Sequence, residues 1–90
     1  MTPDLLFALP GNETQAKQLA DALGCKTGAL TTRKFPDGET YLRFDSAIEG
    51  KHIALVSTLN DPDAKIVPLL FAANAARTMG ASKIGLSAPY

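Results

Sequence analysis

Apolar and polar positions alternate along this chain in two distinct rhythms. Leu5-Leu6-Phe7-Ala8-Leu9 and His52-Ile53-Ala54-Leu55-Val56-Ser57 are short apolar runs of the kind found in strands covered on both faces. Lys83-Ile84-Gly85-Leu86-Ser87 reads as a last, buried strand. Between them the period lengthens. Ala16, Leu19, Ala20 and Leu23 recur at i, i+3, i+4 and i+7, which predicts a helix from Asn12 to about Leu23 with Lys17, Gln18 and Asp21 facing water. Asn12 is expected to cap it through its side-chain oxygen, Gln15 to reach back as in a capping box, and Gly24 to stop it. Ile66, Leu69, Leu70, Ala73, Ala76 and Met79 predict the apolar face of a second helix, capped by Asp63 and closed by Gly80. Pro68 opposes the carbonyl four residues back, so the first turn of that helix is expected to be irregular, or the regular helix to start after Ala64. Strands alternating with helices predict an α/β domain with a mostly parallel sheet flanked by helices, whose ligands gather beyond the strands' carboxyl ends.

Residues 29–34 and 41–45 alternate in the shorter rhythm and flank Phe35-Pro36-Asp37-Gly38-Glu39, so they predict two strands joined by a tight turn. Proline presets φ at the first central position and Gly38 can take a positive φ after it, which presents Asp37 and Glu39 from a constrained backbone. These carboxylates allow three readings. A general acid/base pair needs a partner and shifted pKa values, for which the sequence offers no sign. A magnesium or calcium site needs further oxygen donors. Acceptors for a ligand's amino group or hydroxyls suit the turn, with Phe35 able to stack on a flat heterocycle; a solvated hairpin turn needs no ligand at all.

Composition narrows the choice. Ninety residues form at most one domain, and nine basic against nine acidic side chains leave no net field to attract nucleic acid or an anionic membrane. Cys25 is the only cysteine, which rules out an internal disulfide or a cysteine-based zinc site and fits a reducing cytoplasm. No apolar run approaches the roughly 18 to 20 residues of a membrane span, and no basic residue precedes Leu5 as in a signal peptide. Gly11 and Asn12 follow a strand and precede a helix, a place where anions can bind, but neither a Walker nor a GxGxxG spacing is present, so turn and cap suffice. His52 reads as a strand-edge residue. The chain stops directly after its last predicted strand, as a truncated domain would.

Phe35-x-Asp37-Gly38-Glu39 with its alternating strand resembles the N-terminal motif of ribose-phosphate pyrophosphokinases, also called phosphoribosyl pyrophosphate synthetases. The chain is also similar to that family at Gly11-Asn12, at Asp61-Pro62, at Arg77, Gly80 and Ala81, and at Pro89-Tyr90, in order over essentially all 90 residues. The resemblance implies a truncated N-terminal domain, residues 1–90, of phosphoribosyltransferase-like fold with a protruding β-hairpin. It implies that Phe35, Asp37, Gly38 and Glu39 bind the adenine of ATP in the active site of a neighbouring subunit of a homo-oligomer. The implied reaction moves the β,γ-diphosphoryl group of ATP to the 1-hydroxyl of ribose 5-phosphate, with Mg2+, for nucleotide biosynthesis in the cytoplasm. No catalytic residue and no metal ligand of that reaction falls within these 90 residues, so the piece alone is expected to be inactive. Pro36, Tyr41 and the Ala-Leu-Pro-Gly-Asn opening look closer to the archaeal-type branch. Glu49 stands where many bacterial members have an arginine that binds a regulatory phosphate, and a carboxylate there would repel one. A non-catalytic regulatory or oligomerisation relative is the alternative.

Overall fold

The computed structural model describes residues 2–34, 40–58 and 62–88. Its elements in chain order are β1 (Leu5–Ala8), α1 (Glu13–Leu23), β2 (Lys26–Thr27), β3 (Leu30–Lys34), β4 (Thr40–Phe44), β5 (His52–Val56), α2 (Pro62–Thr78) and β6 (Lys83–Ser87). Four strands form one wholly parallel sheet in the order β2-β1-β5-β6, and β3 and β4 pair separately as an antiparallel hairpin. From the central pair β1–β5 the chain winds outward twice: through α1 to β2 on one side and through α2 to β6 on the other. The direction of winding therefore reverses between β1 and β5, the place where ligand crevices form in open parallel sheets.

Alternation along the central strands sorts the core into two layers. Phe7, Leu9, Ile53 and Leu55 point to one face and meet Phe44 of the hairpin, Ile48, and Ala72 and Ala76 of α2. Leu6 and Val56 point to the other and meet Ala16 and Ala20 of α1. Both central strands are covered on both faces, as their apolar runs predict. The hairpin is fastened by its inner side chains: Phe44 packs edge-on against Phe7, with ring centroids 4.8 Å apart and planes at 89°, a favoured aromatic geometry. Gly28, in the connection from β2 to β3, is what lets the Phe7 ring lie there. A Cβ at Gly28 would sit 2.4 Å from Cε1 of Phe7.

Several local expectations are corrected. β6 is not buried but a half-exposed edge strand, with Leu86 51% exposed, because among the described residues only β5 pairs with it. Helix α2 runs unbroken from Pro62 through Pro68, so Asp63 lies inside the helix instead of capping it; a proline at the first helical position leaves no hydrogen bond unmade. The face α2 turns to the core is Leu69, Ala72, Ala73 and Ala76, while Ile66, Leu70 and Met79, assigned to that face by periodicity, are exposed. A helix apolar on most sides carries little phase information. Strand β2 is too short for any pattern to announce, and exists because Lys26 and Thr27 find the free edge of β1.

Helix α1 matches its expected span and ends at Gly24, whose φ of 72° suits glycine. Its start differs. Asn12 makes no side-chain cap, and Gln15 does not complete a capping box, its Oε1 being buried without a partner among the described residues.

Candidate functional site

The turn singled out in the sequence, residues 35–39 with Phe35, Asp37, Gly38 and Glu39, lies outside the described residues. What is described is its mount. Lys34 pairs with Thr40 at the end of the hairpin, so residues 35–39 join two strands held in antiparallel register. The register Leu30↔Phe44 and Thr32↔Leu42 puts one side of the hairpin against the core, and the paired Thr31 and Arg43 stand on the other side.

The base of this arm is braced by Asp45. Its Oδ2 accepts a hydrogen bond from the Thr31 hydroxyl, and its Oδ1 accepts one from Arg43 Nε at 2.6 Å. The Thr31 bond is the strongest influence and lowers the Asp45 carboxyl; desolvation opposes it, and the bond and positive charge of Arg43 add to the lowering, so the group stays below the ordinary carboxylate range. The Asp45 amide donates to the Ala29 carbonyl at 2.8 Å, and the Ala29 amide donates to Ser46 Oγ at 2.9 Å. Sequence reasoning assigned no role to Thr31 or Asp45. Their signal was available only once the register was known, because it places the two on the same side of neighbouring strands.

At the reversal point between β1 and β5, the N-terminus of α1 meets the ends of β5 and the first turns of α2. Asn12 is 1% exposed and turns inward, donating from Nδ2 to Thr58 Oγ1 at 3.3 Å, while Lys65 Nζ donates to the same oxygen at 2.7 Å. This explains the missing cap: the side chain ties β1 to β5 instead. The Gly11 amide donates to Glu13 Oε1 at 3.3 Å, so a carboxylate of the chain itself stands at the helix end where an external anion would have to bind. Gly11 and Asn12 thus form a turn and a brace, with like-charge repulsion against an incoming phosphate.

The remaining candidates lie elsewhere. His52 is at the amino end of β5, far along the strand from the reversal point, where its amide donates to Asp4 Oδ2 at 2.9 Å and its carbonyl accepts from the Asp4 amide at 2.7 Å. The His52 backbone makes this clasp, which ties the chain ahead of β1 to the entrance of β5. Glu49 is exposed beside the turn after α2, next to the bond from the Gly50 amide to the Gly80 carbonyl at 2.8 Å. Among the described residues no three of His, Cys, Asp and Glu come together to hold a metal ion, and no helix is long and apolar enough to cross a membrane.

The fold defined by this sheet and its arm is that of the phosphoribosyltransferases. The purine phosphoribosyltransferase of Pyrococcus horikoshii superposes on 97% of this chain and 60% of its own with a TM-score of 0.72 at 16% identity, a likeness of fold alone. The chain belongs to the family described as the N-terminal domain of ribose phosphate pyrophosphokinase, whose model matches residues 5–90. Among solved structures, phosphoribosylpyrophosphate synthetase from Mycobacterium smegmatis matches 97% of this chain and 30% of its own, with a TM-score of 0.83 and 27% identity. Ribose-phosphate pyrophosphokinase 1 of Streptococcus pyogenes serotype M3 is 31% identical over 86 residues, and ribose-phosphate pyrophosphokinase of Staphylococcus saprophyticus is 29% identical over the same length. The chain spans 27% of the length of each of these two relatives.

Proposed function

We propose that this chain is the N-terminal domain of an ATP-dependent ribose-phosphate diphosphokinase, which makes phosphoribosyl pyrophosphate from ATP and ribose 5-phosphate. The observation that carries the reading is the family match over residues 5–90 joined to the antiparallel arm, whose strands hold Lys34 and Thr40 in register on either side of residues 35–39. In this reading Phe35 stacks on adenine, Asp37 and Glu39 meet its amino group, and Gly38 lets the backbone approach. The turn serves the active site of a neighbouring copy in a homo-oligomer. Magnesium would supply charge neutralisation for the transferred phosphates; its ligands belong to other parts of the enzyme. The 90 residues alone are therefore expected to be inactive. Pro36, Tyr41 and the opening Ala8-Leu9-Pro10-Gly11-Asn12 support placement in the archaeal-type branch. A single cysteine and soluble nucleotide substrates fit work in the cytoplasm.

The test is made on the full-length protein. Phe35→Ala should weaken ATP binding by about 1 to 3 kcal/mol, the range for bases stacked on aromatic side chains, with ribose 5-phosphate affinity unchanged. Mixing this variant with a second one inactivated outside these 90 residues should restore part of the activity once subunits exchange. Absence of rescue in exchanged mixtures would show that the turn does not act across subunits, and unchanged ATP affinity would remove Phe35 from the nucleotide site.

A further inference from the structure

We draw no further inference here: the strongest candidate, the open groove between α1 and β2 lined by Lys17, Asp21, Cys25 and Lys26, sets charges of both signs around a lone cysteine, with nothing in the structure to show what ligand it would hold.

Discussion

Helices α1 and α2 cover opposite faces of one sheet, yet they finish their sides differently. Helix α1 buries two alanines, Ala16 and Ala20, and shows Lys17, Gln18 and Asp21 to solvent. Helix α2 also buries two alanines, Ala72 and Ala76, but Ile66, Val67, Leu70 and Phe71 remain exposed on its other sides. The face under α2 is heavier too: among the described residues it buries Phe7, Phe44, Ile48 and Leu55, where the α1 face buries Leu6 and Val56 beside the alanines. Small residues let both helices approach the sheet closely. What differs is the outer surface, closed by charge on the α1 side and left apolar on the α2 side, the side that also carries the hairpin. Apolar surface of this kind suits contact with other protein, and we propose it as the side on which copies would assemble.

The largest effect expected from this asymmetry is in the core. Phe7→Ala removes the ring that joins the sheet to the hairpin and should cost about 3 to 5 kcal/mol, a large share of the stability of a small domain. Ala20→Gly on the other face should cost about 1 kcal/mol, chiefly through helix propensity. Urea unfolding of both variants measures the contrast, and equal losses would mean that the two faces contribute alike.

A smaller thermodynamic effect with a larger consequence for assembly is expected on the outside of α2. Leu70 is 62% exposed, so Leu70→Lys should change unfolding stability by no more than about 0.5 kcal/mol. The same change should shift the protein toward smaller species in sedimentation velocity if this face meets a second copy. An unaltered distribution would assign the assembly to another surface.

The smallest effect concerns the brace at the base of the arm. Because the folded state lowers the pKa of Asp45, its contribution to stability is present above the ordinary aspartate range and is lost as pH falls through the lowered value. Thr31→Ala removes the main cause and should move the Asp45 titration upward, read by NMR of its carboxyl carbon. A curve identical to that of the unaltered protein would show that Thr31 does not hold the carboxyl.

Much of the frame was legible in residue order alone. The apolar runs ending at Leu9 and Ser57 lie in and just beyond β1 and β5, the period of Ala16, Leu19, Ala20 and Leu23 marked α1, and Pro36-Asp37-Gly38 between alternating segments marked a hairpin, because these signals depend on neighbours only a few residues apart. Tertiary structure decided the rest. Asn12 has the chemistry of a cap, but Thr58, 46 residues away, offered its buried amide a partner across the sheet. The phase of α2 was undetermined by its own sequence, since apolar residues occur on most of its sides, and was set by where Ala72 and Ala76 could approach the sheet closely. Strand β2 and the brace of Thr31, Arg43 and Asp45 exist only through register, which couples residues that no local pattern connects.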